Sequence, residues 1–350
     1  MGFSDLNRTV DYAYPNTRVS AWKSFMLKDE DMRGLSSAKN LEEYVSLLEH
    51  TSYKTEISKI TRMDVNSIED LLSSDYIRMG ELARRIAPKK TKTFFDALQL
   101  SSEIMLIKRI MNLLDAGIEG KNLGIDYSRY EGVTSSDIKK LTRGMGEVKN
   151  KGEAIELLKN TRYDFIQKAS PEEMRIPGYV STMLDRYYLA NLWESVDTLS
   201  SKDAVIARKL IGMELDAANI MVLLRSKQGK YKGDRFMIPA SYKLGGKLKE
   251  LYGKDVSEIV SALSGTQYGA LLSEGFKSYE KDGSLIAFEI SFKKYLIKEY
   301  KSAFKSSLFT IGVLMGFLKI KEYELRNLQT IAVSLDNGLD PKDIMELVIE

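Results

Sequence analysis

The sequence predicts an all-α fold made of three related helical subdomains of about 110 residues around a pseudo-threefold axis. Three observations carry that expectation. Helix start and stop signals run through the chain while no alternating strand pattern is sustained. A stretch that opens a helix occurs three times, and a second, unrelated motif returns with nearly the same period.

The first repeat reads "NLEEYVSLLEHTSY" at 40–53, "NKGEAIELLKNTRY" at 150–163 and "DVSEIVSALSGTQY" at 255–268, aligned without gaps. Asn40, Asn150 and Asp255 share its first slot, and Glu43, Glu153 and Glu258 its fourth. An Asn or Asp that caps a free backbone N–H, followed three residues later by a glutamate reaching back, is a helix start. Val45, Ile155 and Val260 then share an apolar slot with Leu48, Leu158 and Leu263 three residues on, which fall on one helical face. Each copy closes on Thr-x-Tyr: Thr51 with Tyr53, Thr161 with Tyr163, Thr266 with Tyr268. The threonines are spaced by 161 − 51 = 110 and 266 − 161 = 105 residues.

The second repeat is acid, one residue, acid, two residues, Asn, then an apolar helix ending near glycine. Glu214 and Asn219 match Glu322 and Asn327 in this frame. A fainter copy, "SSEIMLIKRIMNLLDAG", is expected to put Glu103 in the first acid slot and Lys108 in the Asn slot, giving offsets of 111 and 108. So long a period suits tandem multi-helix modules better than the 20–50-residue units of ordinary solenoids.

Helix punctuation supports the same reading. Pro171 follows the cap Ser170, with Glu173 beyond it, and Pro341 follows Asp340, so these prolines start helices. Leu318, Leu325, Leu328, Ala332 and Leu335 make a single apolar stripe. Glycine and charge interrupt the apolar period in "DAGIEGKNLG" and "SKQGKYKGDRFMIPA". These breaks divide the chain into repeats at 1–125, 126–235 and 236–350.

Composition narrows the function classes. With 52 basic and 49 acidic side chains, a net charge of +3 gives no field typical of a dedicated nucleic-acid binder. No cysteine is present, so disulfides, thiolate nucleophiles and cysteine-held metals are excluded. The N-terminus carries no apolar secretion core, and Leu6 stands where a myristoylation signal needs Ser or Thr. In "SSLFTIGVLMGFLKIK", Gly312 and Gly316 have GxxxG spacing, but the apolar run falls short of the about 20 residues a spanning helix needs, so a buried helix is expected.

No catalytic set emerges. "RGMGEVKNKG" has Lys149 where a dinucleotide loop needs its third glycine, and no phosphate loop is found elsewhere. His50 is the single histidine, without a "GxSxG" elbow, and the repeats carry Asn160 and Gly265 in its slot, so a structural place is expected for it. The acids of "LKDEDMRG" and the pair Glu322 with Glu324 read as helical surface, with Arg326 spaced to pair with Glu322. No catalytic, cofactor-binding or metal residue is assigned.

Three segments, "YAYPNTRVSAWKSFML", "ELDAANIMVLLRSK" and "FLKIKEYELRNLQTIAVSLDNGLDPKDI", resemble the C subunit of archaeal A-type and bacterial V-type rotary ATPases, a relative of the d subunit of eukaryotic V-ATPases. They span the chain from end to end. The resemblance implies an all-α funnel of three subdomains without catalytic activity or cofactor, one copy per complex, peripheral on the cytoplasmic face of the membrane. Its implied partners are the D- and F-type central-stalk subunits and the membrane rotor ring, with membrane contact indirect and no nucleic acid. Matching the motifs gives Arg18, Glu214, Asn219, Arg225, Glu322, Arg326 and Asn327 as partner-binding or inter-helix candidates.

A rival reading rests on the basic stretches "ARRIAPKKTK" and "LLRSKQGKYKGDRF". In it the chain is a helical adaptor for nucleic acid or anionic lipid, using Arg84, Arg85, Lys89 and Lys90, with Tyr231 and Phe236 placed to stack on bases. An enzyme built on His50 is the third reading.

Overall fold

The helix signals become helices. In the computed structural model, which describes residues 3–60, 62–130, 135–229, 233–306 and 308–349, no strand occurs among the described residues. The helices that carry the architecture are α1 (Phe3–Trp22), α2 (Leu41–Leu48), α3 (Val65–Ile86), α4 (Lys92–Asp115), α5 (Lys151–Leu157), α6 (Tyr179–Ser195), α7 (Ser201–Gly229), α8 (Val256–Leu263), α9 (Ile286–Ser306) and α10 (Ile311–Asp336). The glycine-rich breaks fall where expected, just after α4 and at the end of α7.

Three helical hairpins, α3–α4, α6–α7 and α9–α10, form a closed cycle. Each member touches the next, α4 touches α6, α7 touches α9, and α10 returns to α3. The close approach of α9 to α10 requires a residue without a side chain, because a Cβ on Gly316 would sit 3.0 Å from the Tyr300 carbonyl oxygen and 2.9 Å from Phe304. That glycine serves packing between helices in the interior, as the short apolar run implied. No helix among the described residues is long and apolar enough to cross a membrane.

The repeated stretches cap this cycle. Asn40, Asn150 and Asp255 are the N-caps of α2, α5 and α8. Asn40 and Asn150 accept from the backbone N–H of Glu43 and Glu153, and the acid at Glu258 closes a full capping box with Asp255. In the first two copies the glutamate reaches one residue further, to the N–H of Lys39 and Lys149. The Thr-x-Tyr ending is the same in all three. The threonine hydroxyl donates to the carbonyl three residues back, at Leu48, Leu158 and Leu263, and accepts from the N–H of Tyr53, Tyr163 and Tyr268. This turn aims the tyrosine inward, and all three rings are buried.

The apolar interior has two parts. The larger runs through all three hairpins. The smaller joins residues 32–76 to the far half of α10, so the chain's first cap packs on its last long helix. The stripe read from the sequence spans both, with Leu318 in the larger part and Leu325, Leu328, Ala332 and Leu335 in the smaller.

Candidate functional site

All six hairpin helices line one cavity of about 480 Å³. Its inner wall holds a charge cluster around Lys319, which is 3% exposed. The Lys319 ammonium lies 2.9 Å from Glu214 Oε1 and 3.2 Å from Glu322 Oε2, and it sits against the rings of Tyr188 and Tyr300. Tyr300 donates to the same Glu214 oxygen at 2.8 Å, and Arg326 pairs with Glu322 one turn along α10.

Burial alone would push Lys319 toward neutrality, but the Glu214 and Glu322 carboxylates beside it win and hold it protonated well above the usual lysine range. Burial likewise disfavours charge on Glu322, and Lys319 with Arg326 overrides it, bringing that carboxyl down to about 2. Lys319, Glu322 and Arg326 thus form a mutually stabilised set of charges on the cavity wall.

Nearer solvent the lining changes to partly exposed pairs: Lys108 with Asp185 and Arg225 with Glu289. These residues lie toward the end of α4, the start of α6, the end of α7 and the start of α9. The mouth therefore opens away from the three hairpin turns and is rimmed by charges of both signs.

The sequence candidates divide into three groups. Glu214, Arg225, Glu322 and Arg326 line the cavity together. Asn219 and Asn327 face away from it and hold backbone. Asn219 accepts from the Ile238 N–H and donates to the carbonyls of Ile238 and Ala240; Asn327 makes the corresponding pair of bonds with Ile349. Both asparagines are buried, and each ties its helix to a non-helical segment of the chain. Arg18 stands apart, exposed on α1 with its guanidinium over the Trp22 ring.

The partner of each repeated tyrosine corrects the register of the second motif. Tyr53 donates to Glu324, Tyr163 to Glu103 and Tyr268 to Asp216. Glu103 thus answers to the second acid of the motif, two places on from the slot expected for it. Lys108 accordingly leaves the Asn slot. In every copy the carboxylate that receives the tyrosine also accepts backbone N–H groups: Leu27 for Glu324, Ser135 for Glu103, Tyr242 and Lys243 for Asp216.

Lys319 and Lys321 have no role in the sequence reading, yet their signal is present there. Two lysines that close an apolar helical run must find partners if that run is buried, and each has an acid three residues ahead. His50 is exposed just past α2. Most cations of the basic stretches are engaged: Arg84 with Asp96, Arg85 with Glu81, Lys90 with Asp11, Lys227 with Asp255 and Arg235 with Glu173. Phe236 is buried against Tyr179, so it presents no face to a base, and Tyr231 lies outside the described residues.

The model of the ATP synthase (C/AC39) subunit family matches residues 15–347, which includes the cavity wall and every cap. The chain belongs to the ATP synthase (C/AC39) subunit family. Among relatives in that family, the C subunit of the A-type ATP synthase of Methanocaldococcus jannaschii is 28% identical over 97% of this chain and 86% of the relative. Those of Pyrococcus abyssi and Methanosphaera stadtmanae are 26% and 27% identical, over 97% and 99% of this chain and 90% of each relative. No group of three or more His, Cys, Asp or Glu side chains that could hold a metal ion is found among the described residues.

Proposed function

We propose that this chain is the non-catalytic socket of a V/A-type rotary ATPase, seated between the rotating central stalk and the membrane rotor ring. The single observation that supports this most is the closed cycle of six helices around one cavity with a charged mouth. A part that passes torque must resist twisting, and helices packed into a closed cycle resist it because no free edge can splay. The cavity mouth, rimmed by both signs of charge, suits a polar stalk end and gives it a defined azimuth.

In this reading the repeats at 1–125, 126–235 and 236–350 form a funnel around a pseudo-threefold axis. The cap of each third is tied to a long helix of the preceding third, and the first cap to the last helix. The partners are the D- and F-type stalk subunits at the mouth and the rotor ring at the other end, on the cytoplasmic face, with one copy per complex. ATP chemistry belongs to other subunits.

The test is co-purification from native membranes with subunits identified by mass, together with direct binding of the purified chain to the stalk subunits. Recovery without any stalk or ring component, and no direct binding, would remove the proposal.

A further inference from the structure

Helix α1 lies across the end of the cycle opposite the cavity mouth and touches all three hairpin turns. At the first turn, Lys90 pairs with Asp11. At the second, Asp203 accepts from Tyr12 at 3.0 Å and from Arg8 at 2.9 Å. At the third, Arg8 Nε donates to the Phe309 carbonyl, and the same Asp203 accepts from the Ile311 N–H that opens α10. Asp203 is fully buried, so these bonds fix the end as one rigid surface.

That anchoring dictates what faces outward. Tyr12 points in with no exposure, so residues two places away on a helix, at 100° per residue, point out: Val10 and Tyr14. Asp203 likewise points in, and Val205 points out. Val10, Tyr14, Val205 and Leu308 are each more than half exposed, and Phe309 beside them is 38% exposed. Phe309 also holds φ = 57°, a left-handed backbone setting unfavourable for an aromatic residue, with Arg8 bonded to its carbonyl. An exposed apolar patch at one end of a molecule, rimmed by polar residues, marks a contact surface.

Charge selects the occupant. Around the three turns Asp11, Glu81, Asp96, Asp197 and Glu299 each engage a cation already. Among the described residues there, Lys89, Lys92 and Lys305 are exposed and make no ion pair, against one such carboxylate, Glu194. Exposed Tyr, Phe, Leu and Val ringed by free lysines is the composition of a surface that rests at a headgroup layer. We infer that this end of the chain docks directly on an anionic lipid surface, with the apolar patch entering the headgroup region and Lys89, Lys92 and Lys305 facing lipid phosphates. This goes beyond the socket reading, in which membrane contact is made through the ring alone.

The experiment is co-sedimentation of the purified full chain with vesicles. One set is phosphatidylcholine alone; the other contains about a third phosphatidylglycerol, enough to give a negative surface potential. Binding is expected to the second set only, and to fall steeply as salt is raised from about 50 to about 500 mM. The pair Lys89→Glu with Lys305→Glu should weaken it by about thirtyfold or more, each lysine near such a surface counting for a factor of about five. Tyr14→Ser with Leu308→Ser should weaken it without changing its salt dependence. Lys139→Glu, exposed on the 136–144 helix away from the turns, should leave it intact, and unchanged melting of all variants keeps folding out of the comparison.

No binding to anionic vesicles, equal binding to both vesicle sets, or indifference to the lysine and apolar variants would overturn the inference. If the variants instead weaken binding to the detergent-solubilised rotor ring while vesicles are not bound, the patch is a protein-docking surface and the lipid inference fails with the socket reading intact.

Discussion

Tyr53 Oη donates a 2.7 Å hydrogen bond to Glu324 Oε1, joining positions 271 residues apart. Tyr163 with Glu103 and Tyr268 with Asp216 repeat that bond, but among the three only this one also carries a lysine. Lys321 reaches both the tyrosine oxygen, at 3.0 Å, and the glutamate, at 2.6 Å. The corresponding positions in the other two copies are Leu100 and Met213. The joint between the chain's two ends is therefore the one that adds a buried cation to the buried carboxylate, and it lies within the smaller part of the core.

Replacing any of the three tyrosines by phenylalanine keeps the ring packing and removes one donor from a buried carboxylate. Each change should cost about 1–2 kcal/mol of unfolding free energy. Tyr53→Phe should have the smallest effect on its carboxylate, because Lys321 remains. Lys321→Met should be the severe change at this joint, about 3–5 kcal/mol, because it leaves a buried glutamate without its cation. Urea unfolding monitored by circular dichroism ranks them; a Lys321→Met variant as stable as the parent would show that the lysine is dispensable.

Lys319 makes a matching prediction at the cavity wall. Lys319→Met leaves Glu214 with only Tyr300, and Glu322 with only Arg326, as partners. A loss of about 3–5 kcal/mol is expected. Adding Glu322→Gln should return part of it, since one of the two stranded charges is then gone. Melting temperatures of the single and double variants measure the coupling, and strict additivity would contradict the geometry.

Glu322 also sets an acid limit. Its carboxyl is held at about 2 against an ordinary value of 4.5, so its ion pairs stabilise the fold fully above the ordinary value. That contribution, on the order of 3 kcal/mol, is lost as pH falls from about 4.5 through about 2. Lys319 acts in the opposite sense. Its raised value leaves its contribution complete below the ordinary lysine range, to be lost only as pH climbs through the folded-state value. Stability measured against pH should fall less between pH 4.5 and 2 in Glu322→Gln than in the parent, though the variant starts lower at pH 7.

Much of this is legible in the residues. Caps, threonine turns and tyrosines recur in order along the chain, because local hydrogen bonds impose local spacing. The carboxylate that each tyrosine meets lies 52 to 271 residues away, and no local rule fixes such a pairing. That is why Glu103 falls two places out of register: the faint copy "SSEIMLIKRIMNLLDAG" has only Glu103 where each of the other copies has a pair of acids two residues apart, and nothing local says which of the two it matches. The asparagines show recurrence but not direction. Only the fold reveals that Asn219 and Asn327 clamp backbone while Glu214 and Glu322, five residues before each, turn toward the cavity.

Asn219→Ala and Asn327→Ala should each remove a two-way backbone clamp at a buried site. The expected cost is about 1–3 kcal/mol. The effect should be local as well as global: amide exchange should quicken at Ile238 in the first variant and at Ile349 in the second. A change spread evenly over the chain in either case would mean that the clamp does not hold its segment independently.

The mouth of the cavity gives the prediction most closely tied to function. Arg225 pairs with Glu289 across α7 and α9, and both side chains keep about a third or more of their surface in water, so the pair adds little to folding. Arg225→Glu should therefore leave the melting temperature nearly unchanged while reversing charge at the rim. If a stalk end enters here, association should slow by about tenfold at low salt and the difference should shrink as salt rises, because rim charges act mainly on the encounter rate. Restoring the pair in swapped form, Arg225→Glu with Glu289→Arg, should repair the ion pair but not the binding, since the partner meets the rim in its original order of charges. Biolayer interferometry with the purified stalk subunits separates these outcomes, and equal association rates for parent, single and swapped variants would place the stalk contact away from this mouth.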